Sequence, residues 1–246
     1  MDAWPVEDHY LTMNTVKATK TSWEMELSKA GFDLVQRFSV DAYNNLVKPE
    51  NRLPEYGKSH GVLIGNTKAI WPVFVEFLKR QPEWLNNPHP FDCFVEQRIM
   101  ECLKTLDASF QIRFAHLPEP AHIAFQTLAQ ISGLAYLSKS HLSIHPEYGP
   151  WFSLRAALVI ESENIVSTKE LMQNPCDFCR SGCEVAFQKV MGKIGDLKNH
   201  AAIEWTEWLA VRDACPLGRE YRFENDQLEY HYRKSKNLLL RRIYDL

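Results

Sequence analysis

Apolar positions along the chain fall into short blocks, separated by breaks rich in proline, glycine and polar residues. From 22 to about 46, Met25, Phe32, Leu34, Val35 and Phe38 give an approximate apolar face and predict a helix, weakened midway by Gly31. Residues 48–60 form a loop by composition. The apolar run 61–65, set between glycines, predicts a buried strand. A helix then follows with Pro72 in its first turn, where no amide bond is lost, and Val73, Phe74, Phe77 and Leu78 as its buried stripe. Residues 81–90 break the pattern. Residues 91–106 predict a long helix with Val95, Ile99, Leu103 and Leu106 inward. Phe110 to Phe114 alternates and predicts a half-buried strand, ended by Pro118 and Pro120. Residues 121–137 predict a helix whose face carries Ala124, Leu128, Ile131 and Ala135, and 153–160 another strand. Strands and helices interleave around a sheet of four or five strands, so the class is α/β or α+β. No internal repeat is visible. Composition shifts near residue 165, which suggests a core over 1–165 and a cysteine-rich segment over 166–246.

The 246 residues are 45% apolar and 24% charged, which excludes a largely disordered chain. A net charge of −3 lacks the basic excess expected of a nucleic-acid binder. The longest apolar runs, such as 156–160 and 238–240, are far short of the roughly 20 residues that span a bilayer. The opening MDAWPVEDHY has acids, a proline and no apolar segment, unlike a secretory signal. These features point to the cytoplasm, with neither membrane nor nucleic acid as partner. In a reducing compartment, clustered thiols suggest a metal or redox site rather than disulfides.

Four of the six cysteines crowd toward the C-terminal end: Cys176, Cys179, Cys183 and, 32 positions later, Cys215. Bacterial-type ferredoxins use C-x2-C-x2-C-x3-C-P, in which the last thiol of a run serves the other cluster. Here the second gap has one extra residue. Phe187 stands where a thiol for a second cluster would sit, and Cys215 precedes Pro216. That arrangement fits a single [4Fe–4S] cluster on Cys176, Cys179, Cys183 and Cys215. A four-thiolate zinc site is the rival, although Cys215 lacks a second thiol two or four residues away; unliganded thiols are the third reading. Cys93 and Cys102 read as core packing.

From residue 115 onward the chain resembles the cytosolic cobalamin-processing proteins, the decyanase and dealkylase of vitamin B12 metabolism. It also resembles the cobalamin-binding domain of epoxyqueuosine reductase. The residues that carry this are His116, Gln126-Thr127, Gly133-Leu-Ala-Tyr136, and Ile144-His-Pro-Glu-Tyr-Gly-Pro-Trp-Phe152 followed by Arg155. Trp208, Arg212-Asp213 and Glu220-Tyr-Arg222 match further on. The resemblance implies a nitroreductase-like α+β fold, a mixed sheet flanked by helices, with corrinoid held against it. It places His116 near the corrin and offers Gln126, Thr127, Gly133, Tyr148, Trp151, Arg155 and Arg212 as cofactor-binding candidates. The positions of Arg155 and Arg212 would hold glutathione in the processing enzymes. A low-potential electron donor is the other partner it suggests.

Residue chemistry alone leaves plainer readings open. His116 ends a strand, where ligands gather, or is a turn histidine. His145 reads as a turn residue. Arg155 lies in an apolar strand and needs either a partner carboxylate or an anionic ligand. Arg212 and Arg219 flank Cys215 as cluster neighbours or as solvated charges. Trp205 and Trp208 read as core, and the basic run Arg233, Lys234, Lys236, Arg241 and Arg242 as a solvated face. No Gly-x-Gly-x-x-Gly or G-x-S-x-G motif is present; flavin, which related folds bind without a short motif, stays open. The expectation is a corrinoid-binding redox protein that reductively processes a cobalamin, or uses it as a reductase, through one cluster. The alternative is a non-catalytic cobalamin carrier with a structural thiolate site.

Overall fold

The computed structural model describes residues 22–55, 58–117, 122–162, 174–193 and 204–244. A four-stranded antiparallel sheet in the order β1-β2-β6-β3 forms its middle layer. Its strands are β1 (Leu34–Phe38), β2 (Ser59–Asn66), β3 (Phe110–Phe114) and β6 (Ser153–Glu161). The expected mixed sheet is therefore antiparallel at every described pairing in this layer. Two short strands, β4 (Tyr136–Leu137) and β5 (Ser143–Ile144), make a separate hairpin.

The central strands β2 and β6 read as unbroken apolar runs because both of their faces are covered. Val62, Ile64, Ala156, Leu158 and Ile160 point into one core, and Leu63, Ala157 and Val159 into the other. The first core is closed by α1 (Ser22–Lys29), α3 (Ile70–Arg80), α4 (Pro90–Cys102), α8 (Asn225–Arg233) and α9 (Lys236–Tyr244). The second is closed by α2 (Val40–Asn44) and α5 (Phe125–Ile131). An aromatic cluster welds α3, α4 and α8: Phe74 meets Phe91 edge-on at 4.9 Å, and Trp71 lies 5.5 Å from Tyr230. Geometries of this kind add to what area burial alone contributes. The two remaining helices, α6 (Cys183–Lys193) and α7 (Trp205–Asp213), pack on each other beside this body.

Three sequence expectations need correction. The single helix over 22–46 is a helix, a strand and a short helix. Gly31 adopts φ +92, a left-handed turn that lets Phe32 N–H close back on Leu27 O at 2.9 Å and frees 34–38 to pair with β2. Leu34 and Phe38 are buried as the ends of an edge strand rather than as a helical stripe. Second, the helix over 121–137 is confined to Phe125–Ile131, and residue 136 already belongs to β4. Third, the long helix of 91–106 ends at Cys102 and tightens into a 3-10 turn over Leu103–Thr105. Strand 61–65, the Pro72 helix, strand 110–114 and strand 153–160 stand where the pattern placed them. Pro118 and Pro120, and the boundary near 165, lie outside the described residues.

Candidate functional site

A cavity of about 630 Å³ opens where the start of β6 meets α4, α7, the end of α8 and the hairpin β4–β5. Its size is ordinary for a small-molecule site. Three cations line it, Arg155, Arg212 and Lys234, against the single carboxylate of Asp92. Arg155 lines the cavity from β6. Its Nε donates to Asn66 Oδ1 at 2.6 Å, and its guanidinium lies 4.7 Å over the Phe91 ring. Its partner is thus an amide, not the carboxylate that was one of the two sequence readings. Burial pulls its pKa down to about 10, Asp92 opposes that, and Arg212 adds to it. It remains charged at neutral pH. Arg155 Nη2 is buried without a hydrogen-bond partner, and an orphaned donor of this kind is costly unless a ligand accepts from it.

Arg212 is held from three sides. Its Nη2 donates to Pro150 O, and its guanidinium lies 4.8 Å over Trp151 and 5.2 Å over Phe223. Burial lowers its pKa. It thus stands at the cavity rather than as a solvated charge beside Cys215. Behind this wall sits His231, whose pKa falls well below the ordinary value because it is buried and because Arg155, Lys234 and Arg212 surround it. It is a neutral imidazole in a cationic pocket.

Of the residues singled out by resemblance, His116, Gln126, Arg155 and Arg212 line this cavity. His116 Nε2 pairs with Glu96 Oε1 at 2.7 Å, and Gln126 Nε2 donates to His141 O at 2.7 Å. Thr127, Gly133, Tyr148 and Trp151 do not line it. Trp151 is buried under Arg212, and Tyr148 stacks on His145 at 4.5 Å. His145 is the turn residue expected: its Nδ1 accepts the backbone N–H groups of Glu147 and Tyr148 at 3.1 and 3.2 Å. Asp92, Lys234 and His231 escaped the sequence reading. Lys234 looked like part of a solvated basic run, and only the packing of α8 on α4 turns it inward. Trp205 and Trp208 are partly buried, each against its own small cluster.

The cysteines stand around the start of α6 and just past the C-terminal end of α7, the end that also carries Arg212. Cys183 starts α6, Cys176 N–H is held by Asn174 Oδ1 at 2.8 Å, and Cys215 is buried just after α7. Burial first, then the charges of Cys179, Cys183 and Cys215, push the Cys176 thiol up to about 11. Cys215 is likewise raised by burial and by Cys183 and Cys179, against a hydrogen bond from the Leu217 backbone. The chain therefore does return Cys215 to the 176–183 run. Among the described residues, however, no three His, Cys, Asp or Glu side chains are close enough to share one metal ion. The expected four-thiol centre is a neighbourhood rather than an assembled ligand set. Of the other two cysteines, Cys102 is buried as expected and Cys93 is partly exposed.

Two glycines join the thiol loop to the cavity wall. Gly149 (φ +55) and Gly218 (φ +65) lie back to back. A Cβ on Gly149 would sit 2.0 Å from Leu217 O, and one on Gly218 would sit 2.2 Å from the Tyr148 carbonyl carbon. No side chain fits between these backbones. Tyr221 reinforces the contact by donating to Glu147 Oε1 at 2.8 Å and packing edge-on to Tyr148 at 4.7 Å. Cys215 is thus only a few residues from a clamp on the turn that leads into Pro150 and the cavity.

Among the described residues no helix is long and apolar enough to cross a membrane. The curated cyanocobalamin reductase / alkylcobalamin dealkylase of Danio rerio is 24% identical over 242 residues, covering 89% of this chain and 90% of that protein. Among solved structures, the C. elegans B12-trafficking protein CblC matches with a TM-score of 0.66 at 18% identity, covering 91% of this chain and 94% of that one. Epoxyqueuosine reductase from Streptococcus thermophilus matches with a TM-score of 0.49 at 12% identity, covering 90% of this chain and 78% of that one. Residues 31–239 match the family model described as methylmalonic aciduria and homocystinuria type C, and the chain belongs to that family.

Proposed function

We propose that this protein processes a cobalamin reductively, binding the corrinoid at the cavity between β6, α7 and α8 and removing its upper-axial ligand. The observation that carries this reading is the cavity itself, found in a member of this family with three cations and one carboxylate on its wall. Its lining takes in the start of β6 together with His116 and Gln126. The surplus of positive charge suits an anionic co-substrate. A thiol donor with carboxylates, such as glutathione, fits Arg155 and Arg212, the first with an unused N–H. The protein's part is to desolvate and orient, while the corrinoid undergoes the bond cleavage.

Cys176, Cys179, Cys183 and Cys215 are the residues that would hold a [4Fe–4S] cluster: they are thiol donors of the kind such clusters take, drawn into one neighbourhood, although among the described residues no three ligating side chains gather round one ion. Bound there, a cluster supplies single low-potential electrons. Zinc on the same thiols would instead be structural. This reading divides the chain into a corrinoid-binding core over 1–165 and a cysteine-rich segment over 166–246 that packs back on it. It also calls for a reducing compartment, the cytoplasm.

The test is anaerobic purification followed by iron, sulfide and zinc assays and an absorption spectrum before and after cyanocobalamin. The expected result is a sulfur-to-iron band, about four irons per chain and a change in the corrinoid bands. Zinc alone removes the cluster and leaves the corrinoid reading. An unchanged corrinoid spectrum with and without reductant defeats the processing reading.

A further inference from the structure

Lys234 ends α8 in a left-handed conformation, φ 53 and ψ 32, with its N–H on Tyr230 O at 2.7 Å. Glycine is the usual residue at such a helix end, because a Cβ is strained there. Only one residue, Ser235, separates Lys234 from α9, so the chain must turn sharply at this point. Yet the position carries a long cationic side chain that lines the cavity. Its Nζ is 5.8 Å from the Tyr230 ring centroid. Among the described residues the other non-glycine residue with a positive φ is His141 (φ 57), whose carbonyl is held by the cavity residue Gln126. Both strained positions thus adjoin one cavity, and strain of this kind collects at working sites.

The charged and titratable groups around Lys234 are Asp92 from α4, His116 after β3, Arg155 from β6, Arg212 from α7, and Tyr230, His231 and Tyr232 on α8 itself. Arginine does not give up its proton at neutral pH. His231 is held neutral, and His116 is engaged with Glu96. Lys234 is a cation of the set with a transferable proton, and no carboxylate holds its Nζ in an ion pair among the described residues. Burial loosens that proton, Asp92 tightens it and Arg155 loosens it further.

We propose that Lys234 is the acid that protonates cyanide as it leaves the corrinoid. The proposal deepens the processing reading and rests on it. One electron from a one-electron reductant enters the Co(III) centre of cyanocobalamin, giving Co(II). The cobalt–carbon bond breaks, its electron pair stays on carbon, and the cyanide takes the proton from Lys234 Nζ to depart as hydrogen cyanide. The neutral amine then regains a proton from water.

Two variants separate an acid from a mere charge: Lys234→Arg keeps the charge without a transferable proton, and Lys234→Gly relieves the backbone. The assay is anaerobic conversion of bound cyanocobalamin by titanium(III) citrate, followed by absorbance across a pH series. Binding is measured by corrinoid titration, and folding by thermal melting. The expected result is that both variants melt at or above the wild-type temperature and that Lys234→Arg binds cyanocobalamin like wild type. Both lose decyanation about a hundredfold, and a small primary amine restores part of it in Lys234→Gly. Wild-type decyanation should fall at high pH, and Lys234→Arg should lack that limb. If wild type decyanates and Lys234→Arg matches its rate and pH profile, this proposal alone is overturned. If wild type does not bind or convert cyanocobalamin, the corrinoid reading falls and this proposal falls with it.

Discussion

His231 shows how a single side chain carries the electrostatics of the site. It is buried behind three cations and has no hydrogen-bond partner for Nε2. Its folded pKa lies below that of an unfolded histidine, as do those of the buried His60 and His145. Below about pH 6.5 the unfolded chain therefore binds protons that the folded one refuses. The stability from these histidines is complete above that pH and is lost as pH falls through it toward the lower folded values. Urea melts at pH 7.5 and 5.5 should show lower stability at the acid end, and His231→Phe should shrink the difference. Arg212→Ala makes a second test at this scale. Removing that guanidinium strands Pro150 O and uncovers Trp151, and should lower stability by about 1–3 kcal/mol. Chemical denaturation checks it.

Elements matter here through their junctions more than their lengths. The 145–151 turn and the 215–221 segment touch through bare backbone at Gly149 and Gly218, and both glycines are left-handed. Gly218→Ala adds a clash to a strained φ and should lower stability by at least about 1 kcal/mol. Because the loop that must move carries the buried Cys215, the variant should also speed labelling of that thiol. A urea midpoint and a thiol-reagent time course measure the two effects; unchanged labelling would show that the clamp does not position Cys215. The same scale explains which elements were legible. Strand 61–65 and the Pro72 helix carry apolar periods that only one element satisfies. The stretch 22–46 does not, because Leu34, Val35 and Phe38 fit an edge strand and a helical face almost equally well. Pairing with β2 decided between them, and pairing lies outside any local window. Thr127 and Gly133 share a sequence neighbourhood with Gln126, but α5 turns only Gln126 toward the cavity.

At the scale of the molecule, the sheet is a plate between two apolar cores, and the cavity sits at the rim of that plate where α7 and α8 arrive. The aromatic cluster around Phe74 anchors α3, α4 and α8 together. Phe74→Ala should cost about 3–5 kcal/mol. That is a large share of a domain's marginal stability, so a calorimetric scan should show a much lower melting temperature. The four thiols illustrate the limit of spacing arguments. Their order along the chain suggested a common centre, and the fold does bring Cys215 back toward Cys176, Cys179 and Cys183. Whether sulfurs share a metal depends on distances that the intervals do not encode, and no trio of ligating side chains has closed among the described residues.

What the sequence determined by itself was the set of locally consistent elements, the interleaving of strands and helices, the turn role of His145 and the resemblance that led to the family. Those features depend on nearest neighbours and on residue type. The tertiary structure alone decided that β1 is a strand, that Asp92 and Lys234 face the same cavity as Arg155 and Arg212, and that two glycines clamp the thiol loop to its wall. Asp92 and Lys234 are 142 positions apart, and Gly149 and Gly218 are 69 apart. Burial on both faces of one sheet brought them together, and that is a property of packing rather than of any segment of the chain.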